Sequence, residues 1–150
     1  MKRPDFTGIW RLDPAASSFS GPAPAALLMK IEHREADLHQ QIIATDAAGA
    51  EQRRLFTCLI GEETISTIGE TSLRSRGYWQ VDDPGELVIE TLMSRQDRVL
   101  EFRDCWSLSA DGSQLIMAHR DDALAGQTVI LIRDETPSSA AAFEAFPTPP

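Results

Sequence analysis

The chain has 150 residues, 42% of them hydrophobic and 25% charged, which fits one compact domain rather than a disordered chain. Its formal net charge of -9 argues against nucleic acid, because the mean field repels a phosphate backbone. Arg53 and Arg54, with Arg74 and Arg76, are the densest basic stretches, and they read as solvated strand faces. No segment has the run of about 18 apolar residues that a membrane helix needs, so no membrane partner is expected. Cys58 and Cys105 have no metal-ligand spacing and suit two reduced thiols. The start "MKRPDF" lacks the apolar stretch of an export signal, and the expected location is therefore cytoplasmic.

The dominant period is two, which is the pattern of half-buried strands. The first strand covers 7–12, and the Ala/Ser/Pro-rich stretch 13–26 follows as a loop laid across one end, with Phe19 as its anchor. Further strands are expected over 27–33, 38–45, 51–59, 64–68, 72–81, 86–94, 99–108, 114–121 and 127–133. Turn chemistry separates several of them, at "DAAG" 46–49, "DDPG" 82–85, "ADGS" 110–113 and "LAG" 124–126. No connection has room for a crossover helix, so about ten strands should meander antiparallel and close into a barrel, with an open sandwich as the alternative. Residues 1–136 then form the barrel domain, and 137–150 a short C-terminal helix or tail. Thr136 can cap that helix, Pro137 takes its first position, and Phe143 and Phe146 share one face.

The strongest local constraint is Asp111-Gly112, which between two alternating runs favours a two-residue type I′ loop. With Ala110 opposite Ser113, Leu108 faces Leu115, Trp106 faces Met117, Asp104 faces His119, Cys105 faces Ala118 and Arg103 faces Arg120. Parity places Leu100, Phe102, Trp106 and Leu108 on the inner face together with Asp104 and His119. Directly opposed strand residues have Cβ atoms about 5 Å apart, so the carboxylate and imidazole are within reach of a hydrogen bond. The pair has two readings: a ligand or proton-transfer site in which Asp104 orients the ring, or a satisfied interior pair.

The same alternation turns Leu73, Ser75, Gly77, Trp79 and Val81 inward, and Leu87, Ile89, Thr91 and Met93 on the next strand. Gly77 would leave space beside Trp79, which serves equally as core filler or pocket wall. Leu27, Met29, Ile31 and His33 line up, giving a second interior histidine near a strand end, whereas His39 has the opposite parity to Leu38 and Ile42. Three histidines without helical spacing or a Cys/His set give a zinc site no support, and haem is not signalled. No nucleophile elbow, metalloprotease, P-loop or dinucleotide motif stands in a useful context, and no cofactor is expected.

The start "FTGIWRLD" resembles the opening of lipocalins, fatty-acid-binding proteins and other calycin-type barrels. That resemblance implies that Trp10 packs across a closed barrel end and that Arg133, from "VILIRDE", covers it as a cation over an aromatic face. More closely, "DFTGIWRLDPAASSF", "LLMKIEH" and "DCWSLSADGSQL" together are similar to a group of small bacterial lipocalin-like proteins without an assigned function. The Arg-Arg-Tyr set that grips a fatty-acid carboxylate is missing, as is the second G-x-G of haem-binding nitrobindin-like barrels.

These observations lead to an all-β, up-and-down antiparallel barrel that binds a small, mainly apolar ligand. Trp79, Trp106 and Met117 are expected to wall the cavity, with Asp104, His119 and His33 as polar contacts and no metal. A cofactor-free isomerase or hydrolase using His119 and Asp104 is the alternative, and a filled barrel serving as an interaction module is the third. A homodimer is the protein partner the sequence allows, through outer strands or the Phe143/Phe146 segment.

Overall fold

The computed structural model describes residues 3–80, 85–121 and 126–143. They form ten strands, β1 (Gly8–Leu12), β2 (Ala26–Arg34), β3 (Asp37–Thr45), β4 (Glu51–Leu59), β5 (Glu63–Ile68), β6 (Thr71–Trp79), β7 (Leu87–Arg95), β8 (Arg98–Leu108), β9 (Gln114–Asp121) and β10 (Gly126–Arg133). One helix follows, α1 (Pro137–Ala141). Every ladder is antiparallel, and the order β4-β3-β2-β1-β10-β9-β8-β7-β6-β5 rolls the meander into a barrel rather than a sandwich. β1 pairs with β10, which leaves β4 and β5 as the two edges of the seam. Among the described residues no helix is long and apolar enough to cross a membrane.

The seam is drawn together at one end only. Gly61 donates its N–H to the Gly77 carbonyl at 2.8 Å, and Ile60 forms a parallel bridge with Gly77. A Cβ on Gly77 would stand 3.0 Å from Cys58 Sγ. Gly77 therefore admits the end of β4 against β6, and the room expected beside Trp79 is taken by Cys58 and Ile60.

That end is the closed end of the barrel. The N-terminal segment brings Phe6 into it, where Phe6 and Trp10 are both 0% exposed and the Trp10 Nε1–H donates to the Phe6 carbonyl at 3.0 Å. The Arg133 guanidinium lies 4.3 Å from the Trp10 ring centroid and donates to the carbonyls of Thr7 and Gly112. Gly8 makes this possible. Its φ is +152°, and a Cβ there would come within 2.7 Å of Arg133 Nη1. The Gly8, Trp10 and Arg133 arrangement that the resemblance implies is thus present.

The register of the β8–β9 hairpin is the expected one, with Trp106 opposite Met117 and Asp104 opposite His119. Its turn is not. The last backbone pairing is Ser109 N–H to Gln114 carbonyl, and Gly112 N–H bonds Ser109 carbonyl at 2.9 Å, with only Gly112 of the central pair at positive φ. A type I′ turn needs positive φ at Asp111 as well; instead the Asp111 carboxylate accepts from the hydroxyls of Ser109 and Ser113 and from Ser113 N–H. The two-residue and four-residue closures share a register, which is why the cross-strand pairs survive the change.

Two further reversals carry no glycine. Arg34 pairs with Asp37 and Arg95 with Arg98 across two-residue loops, in which Glu35 and Gln96 adopt φ of 56° and 53°. The expected "DDPG" and "LAG" turns lie largely outside the described residues. Thr136 stands at the N-cap of α1 without a side-chain capping bond; its hydroxyl and that of Ser139 donate to the Asp134 carboxylate instead. Arg53 reaches across the outer face of the sheet to the Ala142 carbonyl at 3.0 Å. Phe143 is half-buried, and Phe146 lies outside the described residues.

Candidate functional site

Strand alternation turns one side chain in two into the barrel, but only the closed end fills the space. Above Trp106 a cavity of about 820 Å³ opens toward the loop before β2 and the turn between β3 and β4. A filled barrel is therefore excluded. Met29, Ile42, Phe56, Ile89, Met117 and Val129 form its apolar wall, one from each of six strands. Trp106 is the floor. Its ring meets Phe6 edge-on at 5.8 Å on the closed side and lines the cavity on the other.

The loop before β2 forms part of the rim. Ser18 exchanges both backbone hydrogen bonds with Thr128 on β10, at 2.8 and 2.9 Å, and this holds half-buried Phe19 against the cavity. Pro22 and Pro24 continue the rim, as do Asp46, Ala47 and Ala48 of the facing turn.

Asp104 and His119 are the polar centre of the wall. The His119 Nδ1 is 2.7 Å from Asp104 Oδ1, and each side chain is 30% exposed. Burial pushes the Asp104 carboxyl above its ordinary pKa, while the hydrogen bond and charge of His119 oppose that shift. The Phe102 ring stacks on the imidazole at 5.5 Å and fixes its plane. Gln127 lies opposite His119 on β10, and Thr91 on β7 shares a hydrogen bond of 3.1 Å with Ser75.

Of the six residues expected at the site, Asp104, Trp106, Met117 and His119 meet in the cavity. Trp79 and His33 do not line it. Both pack around Phe6 at the closed end, with ring centroids 6.1 and 5.6 Å from it. His33 Nδ1 accepts the Phe6 N–H at 3.3 Å and Nε2 lies 3.0 Å from the Glu35 carbonyl, so both ring nitrogens are engaged in closing the barrel. The sequence reading missed Gln40, Gln52, Arg54 and Gln127 on the wall. Gln40 has the parity of Leu38 and Ile42 and is only 5% exposed, its amide directed at Met29 Sδ; that parity was a usable signal. Among the described residues no cluster of His, Cys, Asp or Glu could hold a metal ion.

A nearly closed ten-stranded antiparallel barrel around an interior cavity defines a calycin-type fold of the fatty-acid-binding-protein kind. The chain matches no family model and no curated protein. Its fold is similar to the solved structure of REP1-NXSQ fatty acid transporter, with TM-score 0.62, 12% identity, and coverage of 87% of this chain and 96% of that one. Secretory abundant heat soluble protein 4 from Ramazzottius varieornatus gives TM-score 0.55 at 10% identity, over 86% and 94% of the two chains. Fatty-acid-binding protein 1 of Echinococcus granulosus gives 0.53 at 10% identity, over 85% and 96%. At these identities the likeness is one of fold.

Proposed function

We propose that the protein binds a small, mainly apolar molecule inside the barrel. The observation that carries this reading is the cavity of about 820 Å³, floored by an indole and walled mainly by aliphatic and thioether side chains. Small-molecule sites have volumes of roughly 300–1,000 Å³ and this mixture of apolar wall and few polar groups. Two of the similar structures carry names that refer to fatty acids, which agrees with an apolar cargo. In this reading Trp106 and Met117 contact the apolar part of the ligand, and Asp104 and His119 its polar end.

The 2.7 Å contact between His119 and Asp104 also favours a second reading, a cofactor-free proton transfer. No serine, cysteine or lysine stands among the described residues of the cavity wall, so the nucleophile of a serine or cysteine hydrolase is not found there. A small molecule that co-purifies with the protein from its own host separates the two readings: under the enzymatic reading it is converted and His119→Ala abolishes the conversion, whereas under the binding reading it leaves the barrel chemically unchanged.

Titration with the neutral fluorophore N-phenyl-1-naphthylamine tests the binding reading. Saturable enhancement is expected, and Ala44→Trp, which projects an indole from β3 into the cavity, should weaken it roughly tenfold or more. Absence of probe binding, or equal binding to the filled variant, would overturn the proposal.

A further inference from the structure

The cavity wall contains few charged groups. Among the described residues Asp46, Arg54, Asp104 and His119 are its titratable members. Asp46 and Arg54 belong to the mouth. One oxygen of the Asp46 carboxylate, Oδ1, accepts the N–H groups of Ala48 and Ala50, each at 2.9 Å, and Arg54 is exposed and bonded to Gln52 at 3.2 Å. Asp104 and His119 stand deeper, between Ile89 on β7 and Gln127 on β10 in the strand register.

One carboxylate oxygen and one ring nitrogen of that pair are spent on each other. The second oxygen of Asp104 and the second nitrogen of His119 are what the pair can offer a ligand. In every state short of protonation of both groups, the pair is either anionic or neutral overall. A ligand carboxylate lodged beside it would meet no net positive charge from the pair, in a chain that carries -9 overall. A protonated amine would instead meet the Asp104 carboxylate and donate to it, a charge-assisted hydrogen bond of the strong kind.

We propose that the barrel selects an apolar chain with a basic, hydrogen-bond-donating head, an alkylammonium, over a carboxylate of the same length, and that Asp104 beside His119 is the residue that decides. This rests on the ligand-binding reading above and narrows it to one chemical class. Neutral alcohols of that length fall between the two, since they can donate to the pair without charge.

The test preloads the full chain with N-phenyl-1-naphthylamine at neutral pH and displaces it with decylamine, decan-1-ol or sodium decanoate. Decylamine is expected to displace the probe at concentrations about tenfold lower than decanoate, with decanol between them. Asp104→Asn should bring amine and alcohol together, whereas Asp104→Glu, which retains the charge, should keep the order even if the asparagine variant fails to fold. Asp46→Asn should also leave the order unchanged. Decanoate displacing the probe as well as decylamine would overturn this inference while leaving ligand binding intact, as would an amine preference that persists in Asp104→Asn. Failure of the probe to bind at all removes the underlying reading as well.

Discussion

The two ends of this barrel are built from the same alternation and come out differently. At the closed end the Trp10 indole, the Arg133 guanidinium and both nitrogens of His33 are all bonded to backbone groups, and the rings of Phe6, Trp79 and Trp106 fill the space between strands. At the open end the inward side chains of β3, β7 and β9 face a cavity. The difference lies in what crosses each mouth. The N-terminal segment carries Phe6 under the barrel, whereas the loop before β2, "DPAASSFSGPAPA", supplies one aromatic, Phe19, and otherwise side chains too short to fill the interior. Alternation decides which face a residue takes; the crossing segments decide whether that face is filled.

Trp10→Ala should break the contrast most severely. Removing a fully buried aromatic costs about 3–5 kcal/mol, and urea denaturation should show a loss of this size. Affinity for the cavity probe, measured on the fraction still folded, should change little, because Trp10 does not line the cavity. A loss below about 1 kcal/mol would mean that the indole does not hold the closed end together.

Gly8→Ala is the next step down. A side chain there meets both an unfavourable φ and the Arg133 guanidinium, for an expected cost of about 1–2 kcal/mol. Since the guanidinium is the far end of a flexible side chain, it can move aside, and Trp10 fluorescence should then report the loss of its cationic cover. An unchanged spectrum together with unchanged stability would show that Gly8 is not what seats Arg133.

The smallest effects, and the sharpest comparison, come from two aspartates at opposite ends of the β8–β9 hairpin. Asp104 has its folded pKa raised by burial, so its stability contribution is present at low pH and falls as pH rises through that pKa. Relative to Asp104→Asn, the wild-type chain should therefore lose stability on going from acid to neutral pH. Asp111 is lowered to about 2 by its hydrogen bonds to Ser113 and Ser109. Its contribution is present above the ordinary carboxyl range and is lost as pH falls through about 2, a dependence that Asp111→Asn should lack. Denaturation midpoints of the three proteins across acid pH decide the matter, and slopes of the same sign for both aspartates would refute it.

The ten strands were legible because each is a local pattern of period two bounded by turns, and all appear within one or two residues of where the sequence places them. The pairing of Asp104 with His119 was legible for the same reason: one short hairpin sets it, and its register tolerates more than one turn geometry. Trp79 and His33 were not placed correctly, although their inward parity was read correctly, because parity says nothing about depth along the barrel axis. Gln127 was hidden for a related reason. Its position beside His119 depends on the β9–β10 ladder, whose connection gives only a weak turn signal in the sequence.

What the sequence determined by itself is therefore the set of strands, their inner faces and the register of the β8–β9 hairpin, all products of short-range backbone geometry. Only the tertiary structure decided which end is plugged, that Gly77 accommodates Cys58 rather than open space, and that Asp104 and His119 border a void instead of a packed core. These outcomes depend on contacts between segments far apart in the chain. Phe6 beneath Trp106 and Ser18 against Thr128 are two of them, and no local period encodes such distances.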